Sequence, residues 1–206
     1  MCAIARKLAL TATSLVMAAS AFGATGIGNT SADDVQLGGF DADAFVFSAG
    51  WNPHAGLNGD TSGFGTAFDA YGSGPWSLLD KYDLNAVFGG VGVLQFGFAM
   101  SSGTAGTWSV HNTGAANMVL DLVFAMHAAD AGAGFLFDNQ AINAGQTLNG
   151  TWRIEWFTGN NNAYPDFSNL ALFARDVSAV PEPGEYGMLL AGLAGLGLLA
   201  WRRKEQ

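Results

Sequence analysis

Five stretches of this chain alternate apolar and polar residues with a period of two, and that rhythm restricts the fold more than any other feature. In VGVLQFGFAM, Leu94, Phe96, Phe98 and Met100 share one face. In GTWSVHN, Trp108 and Val110 oppose Thr107, Ser109 and His111. NMVLDLVFAMH aligns Met118, Leu120, Leu122, Phe124 and Met126 and turns Asp121 the other way. GTWRIEWF sets Trp152, Ile154 and Trp156 against Thr151, Arg153 and Glu155, and SNLALFARDV continues the pattern with Leu170, Leu172 and Ala174. AFVFS, SLLDKYD and AGFLFDN are weaker strand candidates. Such segments are half-buried strands, one face toward a core and one toward water.

The connections NPHAGLNGDTSGFG, SSGTAG, NTGAAN, NAGQTLNG and TGNNNAYPD hold Gly, Asn, Asp and Pro, the residues that supply turns. No segment before residue 184 carries a ten-residue helical period. The expected body, residues 24–178, is therefore all-β: an antiparallel two-sheet sandwich of jelly-roll or Greek-key type. A chain of 206 residues has room for one such domain plus appendages. Only 12% of the residues are charged, about half the usual share, which suits an exported β-rich protein.

Between residues 24 and 180 the basic residues are Lys81, Arg153 and Arg175, against fourteen acids. A surface of that sign repels phosphate backbones and argues against nucleic acid as a partner. The one cysteine, Cys2, lies in the N-terminal segment. If that segment is removed, disulfide, thiolate-metal and thiol-nucleophile chemistry are unavailable.

Both ends read as targeting segments. Residues 1–23 place Arg6 and Lys7 before an apolar run and close on small residues, Ala19-Ser20-Ala21 or Ala21-Phe22-Gly23. That is the pattern of a cleavable secretory signal peptide and implies Sec-type export. At the other end, 186–201 is an uncharged segment between Tyr186 and Trp201, followed by Arg202, Arg203 and Lys204. Its fifteen residues from Gly187 span roughly 23 Å as a helix, slightly short of a ~30 Å hydrocarbon core. The aromatic boundaries and basic end fit one membrane helix with a cytoplasmic stop. Pro181 and Pro183 bracket Glu182 and force an extended, exposed peptide just ahead of it.

Val180-Pro181-Glu182-Pro183, the Gly/Leu-rich 186–201 segment and the basic 202–204 end together resemble the PEP-CTERM sorting signal of bacterial exported proteins. The resemblance covers 179–206. It implies recognition by an exosortase, transient residence in the inner membrane, and release or attachment of the body at the cell surface or outside. It also implies a Gram-negative host that makes exopolysaccharide or biofilm. The body is similar to ectodomains that precede such tails, through Trp76-Ser77-Leu78-Leu79-Asp80-Lys81, Gly106-Thr107-Trp108 and the strand Asn169 to Arg175.

Chemistry is sparse in the body. His54, His111 and His127 form no ligand motif, and Gly59-Asp60-Thr61-Ser62-Gly63 reads as a turn rather than a nucleophile loop. Asp33-Asp34, Asp41 with Asp43, and Asp60 with Asn58 carry oxygen ligands of the kind Ca²⁺ uses, but no Ca²⁺-loop motif frames them. Solvated loop acids are the simpler reading, and no cofactor is expected. Glu155 with Asp166 or Asp138 offers a carboxylate pair without any spacing that identifies a glycosidase. Gly90-Val91-Gly92 and Gly132-Ala133-Gly134 lack the helix that nucleotide binding requires, and the Thr-x-Thr ladders of ice binding are absent.

Two non-catalytic readings lead, and a hydrolase, which a concave site with convergent carboxylates would support, is the third and weakest. The first is an exported surface or matrix protein handled by exosortase, associated with exopolysaccharide. The alternative is a carbohydrate-binding module that stacks sugars on loop aromatics, Trp51, Phe64, Tyr71 and Trp76, close to Phe68. Buried rings in that loop would instead favour a plain structural role.

Overall fold

The computed structural model describes residues 25–84, 88–159, 162–180, 191 and 193. A 3-10 turn, Ala32–Asp34, precedes ten strands. These are β1 (Val35–Leu37), β2 (Phe40–Asp41), β3 (Ala44–Ala49), β4 (Ser77–Asp83) and β5 (Leu94–Ser102). They continue as β6 (Ala105–Asn112), β7 (Asn117–Ala128), β8 (Ala131–Ile142), β9 (Thr147–Arg153) and β10 (Phe167–Val180). Every pairing is antiparallel. One five-stranded sheet has the order β2-β1-β9-β6-β5 and the other β3-β8-β7-β10-β4. The expected all-β body with two antiparallel sheets is what the chain forms. β1 and β2 were not among the strands expected from alternation; two or three residues are too short to show a period.

The inner faces meet in one core. Trp108 of β6 lies 4.7 Å from Phe124 of β7 between ring centroids, and Tyr82 of β4 lies 4.6 Å from Phe98 of β5. Val35, Leu37, Leu94, Phe96, Val110 and Trp152 from the first sheet join Leu120, Leu122, Met126, Phe135, Leu170 and Leu172 from the second. Most residues that the alternation places inward, among them Leu94, Phe96, Trp108, Val110, Leu120, Leu122, Trp152 and Leu170, join this core, whereas Met100 near the end of β5 is exposed.

The second sheet departs from the half-buried expectation. Its central strands β7, β8 and β10 are buried on both faces, because the connection from 50 to 76 lies across the outer side. There Trp51, Phe64 and Phe68 pack on Val123, Ala125, Leu136, Ala171 and Phe173 as a second apolar cluster. Phe64 lies 5.2 Å from Phe173 and 5.7 Å from Trp51. Burying each such ring stabilises the fold by on the order of 2–3 kcal/mol. Two glycines permit the approach. A Cβ at Gly63 would sit 2.1 Å from the Trp51 ring, and one at Gly59 2.6 Å from the Phe173 ring. Lys81 of β4 ties the same connection down by donating to the carbonyls of His54, at 2.8 Å, and Gly56.

Among the described residues no helix is long and apolar enough to cross a membrane. The expected signal peptide, 1–23, lies outside the described residues, and so does the expected membrane segment, 186–201, apart from 191 and 193. Pro181, Glu182, Pro183, Arg202, Arg203 and Lys204 also lie outside them.

Candidate functional site

The loop aromatics are not the exposed platform that the sequence suggested. Trp51 and Phe64 are 4% and 1% exposed, and Phe68 is buried with them. Trp51 also donates its Nε1–H to the Asp60 carbonyl at 3.1 Å. Trp76 is half-buried, edge-on to Phe64 at 5.3 Å, with the Arg175 guanidinium 4.2 Å from its ring centroid. Tyr71 alone of the four is exposed. The stacking assignment is corrected at Trp51 and Phe64 for a physical reason: β7, β8 and β10 present apolar residues outward, and the rings cover them.

Under that cover lies a buried ion pair. Arg175 of β10 donates from Nε to Asp121 Oδ2 at 2.9 Å and from Nη2 to the Phe68 carbonyl at 2.8 Å. Asp121 Oδ1 accepts the Asn139 N–H at 3.0 Å. A Cβ at Gly72 would come about 3.0 Å from both Arg175 Nη2 and Asp121 Oδ2, so the glycine lets the chain close tightly over the pair. Beside it, Asp138 has its carboxyl held above the ordinary range by burial, with the Asp121 and Asp43 carboxylates adding to the effect.

The remaining acids are engaged locally. Arg153 reaches Asp33 at 2.7 Å, Asp34 at 2.9 Å and Glu155 at 3.1 Å. Asp33 also accepts the Ser31 hydroxyl, and this bond and Arg153 hold its carboxyl below the usual range. Asp34 is fully buried and is pushed up to about 6, chiefly by that burial. Arg153 is shared among three carboxylates, so its pull on Asp34 does not prevail. Asp60 caps the Ser62 N–H in a turn, Asp41 accepts from Gln36, and Asp43 accepts the Asp138 N–H. His111 meets Thr147, while His54 lies 4.0 Å from Asp83 and His127 sits half-buried on β7. Among the described residues no group of three or more His, Cys, Asp or Glu could hold a metal ion. Lys81, Arg153 and Arg175 all have structural partners.

One open groove of about 590 Å³ lies on the outer face of the first sheet. Register explains its lining. Gln36, Thr151, Thr107 and Ala99 face one another across β1, β9, β6 and β5, and Asn149, Ser109 and Gly97 form the next row. Thr151 donates to Gln36 Oε1 at 3.2 Å, and Gln36 donates to Asp41 at 2.7 Å. Among the described residues, the side chains of Thr107, Ser109 and Asn149 make no hydrogen bond within the protein. The alternation of β6 and β9 showed that Thr107, Ser109 and Thr151 point away from the core. It did not show that β1 lies beside β9, which is what gathers them into one groove.

The C-terminal strand runs directly into the sorting signal. Ala179 and Val180 still pair with Met118 and Asn117 of β7. Residues 179–204 match the PEP-CTERM protein-sorting motif, which therefore begins inside β10. No curated protein and no solved structure matches the chain. The residues read as a sorting signal, Val180 to Lys204, thus lie within the match, which covers the C-terminal tail and leaves the body unassigned.

Proposed function

We propose that this chain is an exported, non-catalytic protein of the cell surface or extracellular matrix, delivered by Sec-type export and processed by an exosortase through its tail. The single observation that carries the reading is the sorting motif at 179–204. Its junction with β10 supports it: with no linker between Val180 and Pro181, a folded body is held against the site of processing. In this reading 1–23 is removed at export, 186–201 spans the inner membrane during transit, and Arg202, Arg203 and Lys204 remain on the cytoplasmic side. Pro181 and Pro183 keep the peptide between body and membrane extended, the shape a processing enzyme grips. The body then meets the host's exopolysaccharide. Its strand order, with the β7–β8 hairpin of one sheet enclosed by paired β6 and β9 of the other, supports a Greek-key type of sandwich.

A pulse-chase fractionation tests the sorting step. Wild-type chain moves from the inner membrane to the surface or medium, whereas a Pro181→Ala/Pro183→Ala double variant accumulates at the membrane. Equal release of both would contradict the reading.

A further inference from the structure

We propose that the groove on the outer face of the β2-β1-β9-β6-β5 sheet binds a neutral polysaccharide chain laid across the strands. The two outer faces of the body differ. One is sealed by Trp51, Phe64 and Phe68, whereas the other exposes hydroxyl and amide groups. The full chain carries a formal charge of −9, yet among the described residues no Asp, Glu, Lys or Arg lines this groove. Such a surface matches an uncharged polyol: it neither attracts nor repels ions, and it offers both donors and acceptors.

Thr107, Ser109 and Asn149 are the groups left for a ligand, since none of these side chains makes a hydrogen bond among the described residues. Ser109 of β6 and Asn149 of β9 are cross-strand partners, ~4.8 Å apart, and Thr107 lies two residues along β6 in the row of Thr151 and Gln36, so a chain crossing the strands meets polar groups in either row. Gln36 is fixed between Asp41 and Thr151, so that wall is ordered before any ligand arrives. Gly97 sits between these side chains and leaves the floor open; a Cβ there would lie 2.6 Å from Ser109 Oγ. With hydrogen bonds rather than ring stacking as the source of affinity, each sugar contributes little and binding strengthens with chain length.

The inference takes from the sorting reading only the expectation that a surface protein meets such polymers. Its test uses purified full chain in a polyoxyethylene detergent, so failure in sorting leaves it unaffected and the reverse also holds. The chain is run on native gels containing dextran, xyloglucan or hydroxyethyl cellulose as neutral polymers, and alginate as the acidic one. Retardation by at least one neutral polymer and none by alginate is the expected result. Ser109→Ala/Asn149→Ala, which removes one half-buried and one exposed polar group without a partner among the described residues, weakens that retardation roughly tenfold with the melting curve unchanged. Gly97→Trp, which fills the groove, abolishes it. No retardation by all three neutral polymers, equal retardation by alginate, or an unaltered Ser109→Ala/Asn149→Ala variant would overturn the proposal.

Discussion

Arg175 Nε and Asp121 Oδ2 lie 2.9 Å apart with both side chains almost wholly out of water, at 1% and 3% exposure. The pair joins the centre of the second sheet to the connection that covers it, because Arg175 also holds the Phe68 carbonyl. Removing one partner of such a pair leaves an uncompensated buried charge. Arg175→Met is therefore expected to cost about 3–5 kcal/mol in denaturant unfolding. Arg175→Met/Asp121→Asn recovers a substantial part of that loss. A cost below about 1 kcal/mol for the single variant would show that the pair is not buried as described.

The aromatic cover makes a separate prediction. Trp51→Ala and Phe64→Ala each open a cavity over β7, β8 and β10 and are expected to cost about 3–5 kcal/mol. Tyr71→Ala, at an exposed ring, is expected to change stability by less than about 0.5 kcal/mol. Neither kind of change alters polysaccharide retardation, because the groove is on the opposite sheet. Loss of retardation in Tyr71→Ala would return the sugar contact to the loop.

Much of this was legible in the sequence where one side of a strand faces water. β5, β6 and β9 are such strands, and Phe96, Trp108, Val110 and Trp152 point inward as their spacing dictates. β7 and β10 were legible as strands but not as doubly buried ones. Val123, Ala125, Ala171 and Phe173 gained their partners only through contacts with a connection some fifty or more residues away. That connection carries Trp51, Phe64 and Phe68 among glycines, a composition shared by exposed binding loops and by segments that lie flat on a sheet. Gly59 and Gly63 serve the second role, and only the rings beneath them reveal it. The groove depends on strand order, which alternation does not encode.

Asp34 gives the fold a pH dependence of definite sign. Its carboxyl titrates at about 6 in the folded chain and at 3.8 when unfolded, with burial the main cause. Its contribution is fully present below the unfolded value and is lost as pH rises through about 6. Asp138 is shifted the same way. Unfolding free energy is thus expected to fall between about pH 4 and 7, and Asp34→Asn to flatten that slope. Parallel pH profiles for the two proteins would contradict this assignment.

The most direct test of the sorting account is intact-mass analysis of the protein recovered from the producing cells and from their medium. The account predicts that extracellular molecules lack both the 1–23 segment and the membrane-spanning part of the tail. Full-length chain, with Gln206 still attached to most extracellular molecules, would contradict it.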